Sequence, residues 1–292
     1  MKPARFSYFA PTSVGGAVEL LSTQEDPKIL AGGQSLVPAM NFRLARPATL
    51  VDVNGIPGLD GVEQSNGTVR IGALVRHRRF EDPPVAGPLG ALLGQMAHSV
   101  GHLPIRVRGT FGGSLAHADP AAEWCLLVTT LDGVIVVEGP GGSRRIPSAS
   151  FFQTIFTTDL AADEMVVSVE IPDLGDGHRV GFSEFSRRAG DFALVMAAAV
   201  VELDGDGTVV DARIGLGGAA DRPVRTPDGE SVVLGRRLES DVIEQAAAAA
   251  AGSAKTLGDI HGSADYRRDL VRVMTKRALT QAANSGPTGG AG

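Results

Sequence analysis

A chain of 292 residues is longer than one hydrophobic core usually serves, so two domains, or one domain with two lobes, is the expected organisation. Hydrophobic residues make up 43% and charged residues 21%, ordinary for a globular protein with proper cores, and a formal charge of −6 lacks the basic footprint of a general nucleic-acid or membrane-surface binder. The single cysteine, Cys125 in an apolar run, can neither ligate an iron–sulfur cluster nor close an internal disulfide, and reads as a buried small hydrophobe.

Taken in order, Met1–Ala10 has no apolar run of signal-peptide length and no twin arginine, which makes a cytoplasmic location the expectation. Ser13 caps a scaffold helix whose Val14, Ala17, Val18 and Leu21 share one face. Lys28–Ala31 is a strand, Ser35–Leu44 a short helix and Leu50–Asn54 a returning strand, together a small β-α-β lobe. Asn66-Gly67 marks a hairpin opening a second lobe, and Pro88–Val100 is a helix apolar at Leu89, Leu92, Leu93, Met96 and Val100. Pro120–Leu127 reads as a helix with Asp119 as N-cap. Strands follow at Gly133–Gly139, Ser143–Pro147 and Asp163–Pro172. Asp173–Gly177 is polar and turn-rich, the best domain boundary in the chain. Beyond it, a hairpin of Phe192–Leu203 and Thr208–Leu216 and helices near Ser240–Ala251 and Ala264–Ala282 make an α+β module. The longest apolar run, near Phe192–Leu203, is too short for a bilayer span of roughly twenty residues. The tail from Asn284 to Gly292 is expected to be disordered.

Two glycine pairs stand out. Leu30-Ala31-Gly32-Gly33-Gln34-Ser35-Leu36-Val37-Pro38 reads as strand, glycine turn and helix start, a pattern that lets a ligand approach the main chain and that favours phosphate through unpaired N–H groups. About eighty residues later comes Thr110-Phe111-Gly112-Gly113-Ser114-Leu115-Ala116-His117-Ala118-Asp119-Pro120. The two loops are expected to hold one pyrophosphate. His77 and His117 are either cofactor contacts or loop scaffold, and Asp119 is a helix cap first, with a cofactor hydrogen bond secondary. Arg187, Arg188 and Asp191 form either a partner surface or an ion-paired turn.

These residues carry a resemblance. Ala31–Leu36 with Arg43, Leu44, Arg46 and Pro47, then Ile71-Gly72-Ala73 before His77, Thr110–Ala116 before Ala118-Asp119-Pro120, Arg187–Ala193 and His261–Arg268 resemble the FAD-binding medium subunit of the molybdenum hydroxylase family, the group of xanthine dehydrogenase and carbon monoxide dehydrogenase. The resemblance runs nearly end to end. It implies a two-lobed FAD-binding domain of the PCMH or vanillyl-alcohol-oxidase class over residues 1–174, with lobes of about 1–56 and 57–174, then an α+β flavoprotein domain over residues 178–283. It also implies a heterotrimer, paired into a dimer of heterotrimers. There a large subunit carries the molybdenum cofactor, a small one carries [2Fe–2S] clusters, and this chain passes electrons through noncovalent FAD to an external acceptor.

By position, the resemblance places Ala31, Gly32, Gly33, Gln34, Ser35 and Leu36 around the FAD phosphates. It sets Thr110, Gly112, Gly113 and Ser114 across the pyrophosphate, and adds Val100, Glu123 and Val166 as further FAD positions. His117 and Asp119 complete the candidate set. Glu123 stands where the family commonly has Asp, and Glu184 where a lysine is common, so Glu184 is assigned no flavin contact. No catalytic acid, base or nucleophile and no metal ligand is expected. The competing class is a self-sufficient oxidase of the same fold. Many of those attach FAD covalently through a histidine after the glycine pair, where this chain has Gln34.

Overall fold

The computed structural model describes residues 2–285. The first lobe is β1 (Ser7–Phe9), α1 (Val14–Thr23), β2 (Pro27–Leu30), α2 (Leu36–Asn41) and β3 (Thr49–Asp52). Its sheet is parallel with order β1-β3-β2, so all three strands deliver their C-terminal ends to one edge. Ser13 caps α1 by accepting from the Gly16 N–H at 3.1 Å. The helix expected over Ser35–Leu44 is shorter, because Arg43 turns left-handed at φ +60° and ends it.

The second lobe carries β4 (Val62–Ser65), β5 (Thr68–Gly72), α3 (Gly87–Ser99), α4 (Leu103–Arg108), α5 (Phe111–His117), α6 (Glu123–Thr130), β6 (Val134–Gly139), β7 (Gly142–Pro147), α7 (Ser148–Phe151), the small hairpin β8 (Phe152–Thr154) and β9 (Thr157–Thr158), and β10 (Met165–Pro172). Its main sheet is antiparallel, β4-β5-β10-β6-β7. Asn66 and Gly67 make the β4–β5 turn with φ of +50° and +72°, the tight hairpin geometry that dipeptide favours. Against one face of this sheet lies an apolar core built on Phe80, Phe111 and Trp124, whose rings pack with centroids 5.1 to 5.7 Å apart. Cys125 is fully buried in it.

After the linker 173–177 come β11 (His178–Phe185), β12 (Val195–Leu203), β13 (Val209–Gly217), β14 (Val224–Arg225), α8 (Pro227–Val233), α9 (Ser240–Ser253) and α10 (Ala264–Asn284). The four strands form one antiparallel sheet in sequence order. Its central strand explains the apolar run of the sequence. Val195, Ala197, Ala199 and Val201 face a core with α9 and α10, while Met196, Ala198 and Val200 join the core of the second lobe. A strand covered on both faces loses the alternation of a half-buried one. Asn284 closes α10; residues 286–292 of the expected tail lie outside the described residues. Arg267 and Arg268 at the start of α10 pair with Asp259 and Asp265.

Candidate functional site

The first glycine loop leaves the C-terminal end of β2. Gly33 sits at φ +71°, a conformation that side chains with a Cβ rarely adopt, and it turns the chain into α2. Gly32 serves a different need: a Cβ there would lie 2.5 Å from the Arg108 carbonyl oxygen and 2.7 Å from the Gly109 Cα, so its bareness lets the second lobe close on the first. Gln34 Nε2 donates back to the Gly32 carbonyl at 3.1 Å and braces the loop. Among the described residues, the backbone N–H groups of Gly32, Gly33, Gln34 and Ser35 have no acceptor. Successive unpaired donors in a turn form a concavity for an anion.

The second loop is the opposite case. Phe111 N–H donates to Val75, Gly112 N–H to Ala73 and Ser114 N–H to the Thr110 carbonyl. Gly113 N–H donates to Thr110 Oγ1 at 3.2 Å, the N-cap of α5. A Cβ on Gly112 would meet Ala73 at 2.6 Å, so this glycine serves close packing on the end of β5. The structure does bring the loops together. A Cβ on Gly113 would lie 3.9 Å from Ala31 Cβ, and the half-buried Ser114 has a hydroxyl without a protein partner among the described residues. The second loop thus supplies a wall and a hydroxyl to the donors of the first.

A polar bridge sequence reasoning missed fixes the two lobes. Asn54, just past β3, donates from Nδ2 to the Ala31 carbonyl at 2.9 Å and accepts at Oδ1 from Arg76 Nη2 at 2.7 Å. Arg76 Nη1 in turn donates to the Arg108 carbonyl. The available signal was positional: Asn54 ends a parallel strand beside the cradle strand, and such ends face the ligand crevice.

The remaining candidates lie further along. His77 is scaffold: it is buried, its Nδ1 accepts from Trp124 Nε1 at 2.8 Å, and burial, then the nearby Arg76 charge, push its pKa down to about 4. His117 stacks on Phe156 with centroids 4.8 Å apart, and burial lowers its pKa. Asp119 does not cap a helix beginning at Pro120. Its Oδ1 accepts from Ala121 N–H at 2.9 Å in a turn, Gly218 N–H takes the Pro120 carbonyl, and α6 starts only at Glu123. Val100 and Val166 are buried members of the apolar core. Arg187, Arg188 and Asp191 are in none of the salt bridges among the described residues, and Arg188 and Asp191 share a backbone turn.

Glu123 and Glu184 approach one another where the second lobe meets β11. Burial, then repulsion from Glu184, pushes Glu123 up to about 8, and burial pushes Glu184 up to about 7. Glu184 Oε2 is buried without a hydrogen-bond partner. The charges bearing on Glu123 are those of Glu184 and Asp119, both acidic. No helix among the described residues is long and apolar enough to cross a membrane.

Comparison with known proteins places this geometry. Residues 4–174 match the family model of the FAD binding domain in molybdopterin dehydrogenase, and residues 181–282 match the CO dehydrogenase flavoprotein C-terminal domain. The chain is 40% identical to the nicotine 6-hydroxylase medium subunit of Paenarthrobacter nicotinovorans over 97% of this chain and 99% of that one. It is 36% identical to the carbon monoxide dehydrogenase medium chain of Hydrogenophaga pseudoflava over 97% and 98%. The solved carbon monoxide dehydrogenase of the latter organism superposes with a TM-score of 0.92 at 37% identity, covering 97% of this chain and 98% of that one. Quinoline 2-oxidoreductase from Pseudomonas putida 86 superposes at 0.90 with the same identity and coverage. The two-lobed α+β fold, the open glycine loop and these end-to-end matches agree: the chain belongs to the family of FAD-binding medium subunits of molybdenum hydroxylases.

Proposed function

We propose that this chain is the electron exit of a heterotrimeric molybdenum hydroxylase, a partner to a large subunit with the molybdenum cofactor and a small subunit with [2Fe–2S] clusters, the whole paired as a dimer of heterotrimers. The observation that carries the cofactor part is the row of four unpaired N–H groups at Gly32–Ser35, held open by Gln34 and faced by the second loop. A flavin held there would supply the chemistry of taking up electrons from a one-electron carrier and passing them to an external acceptor. This chain's residues bind and orient it. Ala31–Leu36 hold the phosphates, while Thr110, Gly112, Gly113 and Ser114 form the facing wall. His117, Asp119 and Glu123 continue from that wall, and Val100 and Val166 give apolar backing.

Gln34 offers no nucleophilic ring nitrogen for covalent attachment, so FAD is held noncovalently. The fully buried Cys125 supports placing the clusters on another chain. Medium subunits of enzymes as different in substrate as nicotine 6-hydroxylase and carbon monoxide dehydrogenase share this chain's sequence along its length, which supports placing substrate choice on the large subunit. We assign residues 1–174 to FAD binding and 178–283 to the C-terminal domain, in the cytoplasm.

The test is to purify the chain alone and with its co-expressed partners. Acid-released FAD is expected from both, with flavin reduction by an organic substrate only in the complex. A chain that cannot be reconstituted with FAD overturns the cofactor assignment, and substrate turnover by the isolated chain makes it a self-sufficient oxidase instead.

A further inference from the structure

The phosphate cradle leaves the pair Glu123 and Glu184 without a role. Glu184 belongs to β11, the edge strand of the C-terminal sheet. Val180 and Phe182 of that strand pack into the core of the second lobe, and the two-residue period of a strand turns Glu184 to the same side. That brings its carboxyl to the lobe where Glu123 opens α6.

Along the free edge of β11, between α3 and the end of α10, runs a cavity of about 510 Å³. Gln95 and Gln281 line it from exposed positions, Ser99 and Glu184 from half-buried ones, and Phe182 and Ser183 from buried ones. Gln281 Oε1 accepts from the Phe182 N–H at 3.0 Å, and Ser183 Oγ bonds Met274 Sδ at 3.3 Å, so both are engaged by the protein. Glu184 spans the boundary. The residue lines the cavity, yet its Oε2 is sealed from solvent without a hydrogen-bond partner.

No cation holds these two acids in their ionised forms. Neither Glu123 nor Glu184 is in any salt bridge among the described residues, and the cavity walls from α3 and α10 are uncharged. The charges bearing on Glu123 are Glu184 and Asp119, with His117 beside Asp119, while burial alone acts on Glu184. Two buried acids without a counterion keep a proton between them. Glu184 stands where the family commonly has lysine, so the pair of acids is a departure of this chain.

We propose that Glu184 and Glu123 form a proton inlet, carrying protons from solvent in the cavity to the flavin site. The proposal rests on the function given above, which puts Glu123 at that site. Reduction of FAD to FADH2 takes up two electrons and two protons, and a one-electron iron–sulfur carrier supplies only the electrons. For each proton, the O–H bond of Glu123 breaks as a ring N–H bond forms. Glu123 then takes the proton of Glu184, and Glu184 takes one from a hydronium ion in the cavity, leaving water. Ordinary carboxyls are ionised at neutral pH and have no proton to give. Burial raises both of these toward neutrality, the range that suits a general acid.

The experiment uses the full chain. In its flavin-free form, infrared spectra taken from about pH 5 to about pH 9 are expected to show a protonated carboxyl band that fades as pH rises and that Glu184→Gln alters. In its flavin-loaded form, anaerobic reduction by dithionite is followed through the flavin absorbance, in water and in deuterium oxide. Glu184→Ala is expected to slow reduction by about ten- to a hundredfold near pH 8, with a larger isotope effect than wild type. Imidazole, a small buffer acid that the cavity admits, restores the rate, and Glu184→Asp keeps most of it. FAD affinity changes by less than about threefold, since Glu184 holds no part of the cofactor. A Glu184→Ala chain with the wild-type rate and pH profile, or a slowed one that imidazole does not restore, overturns the inlet. So does the absence of any carboxyl band titrating in that range. A wild-type chain that takes up no FAD would instead sink the function proposed above, and the infrared titration would still decide whether the pair holds its proton.

Discussion

The two glycine loops have similar sequences and opposite hydrogen-bond states. Gly32–Ser35 leaves four N–H groups without acceptors, whereas at Phe111–Ser114 every N–H is already taken by Val75, Ala73 or Thr110. The difference teaches that a glycine pair at a helix start is not in itself an anion site. What matters is whether the protein has left its donors unspent. The first loop is built for a ligand and the second for the lobe interface that shapes the ligand's other side.

The largest expected effect breaks the open loop. Gly33→Val places a β-branched side chain at φ +71°, with its Cβ 3.1 Å from both Leu30 Cδ1 and Val37 Cγ2. Turning even two donors away from a phosphate costs about 3–6 kcal/mol, so FAD affinity falls by roughly a hundredfold or more. Flavin content of the purified variant, set beside its circular dichroism, checks this. Normal flavin on a folded Gly33→Val chain would erase the distinction between the loops.

Next comes the pH response, which belongs to the second loop's side because its helix leads through the turn at Asp119 to Glu123. The unfolded chain releases the Glu123 and Glu184 protons near 4.5, and the folded chain keeps them until about 8 and about 7. Between those limits the unfolded state binds fewer protons, so stability declines as pH rises. The other charges facing the pair are Asp119 and, through it, His117. Glu184→Gln is expected to flatten the decline between about pH 5 and pH 8 in melting temperature. A wild-type melting temperature that rises across that interval would show the carboxylates to be ionised in the fold.

A smaller effect should separate packing from binding. Gly112→Ala drives a methyl toward Ala73 and costs roughly 1–3 kcal/mol of overpacking, read as a lower melting temperature in the flavin-free chain. Loss of flavin with an unchanged melting temperature would instead make Gly112 a direct contact.

Much of this was legible in the residues. Apolar spacing marks α1 and α3, the helical stretches expected near Ser240–Ala251 and Ala264–Ala282 coincide with α9 and α10, and Asn66-Gly67 fixes a hairpin, because local chemistry decides those elements. The spacing of the two loops pointed to one shared ligand. What stayed hidden depends on partners distant in sequence. That the second loop's donors are spent follows from where β5 ends, and Asn54 gains its role only when Arg76 arrives from the other lobe. Asp119 looked like a helix cap because Pro120 follows it. The helix begins at Glu123 instead, since Gly218 from the C-terminal module draws the Pro120 carbonyl into a turn.

The smallest predicted effect tests the second loop most finely. Thr110 Oγ1 accepts from the Gly113 N–H, so Thr110→Val removes an N-cap and leaves that donor unpaired. Losing a cap costs about 1 kcal/mol, which lowers the melting temperature of a chain this size by roughly 2–4 °C. If the hydroxyl only caps, FAD affinity changes by less than about threefold, because the first loop's donors are untouched. If it also donates to a phosphate, the lost charge-assisted bond weakens FAD by about tenfold or more. The same variant thus measures how far the satisfied loop takes part in holding the ligand: a small thermal shift with intact flavin keeps it as a wall, and a tenfold loss makes it a second, weaker hand.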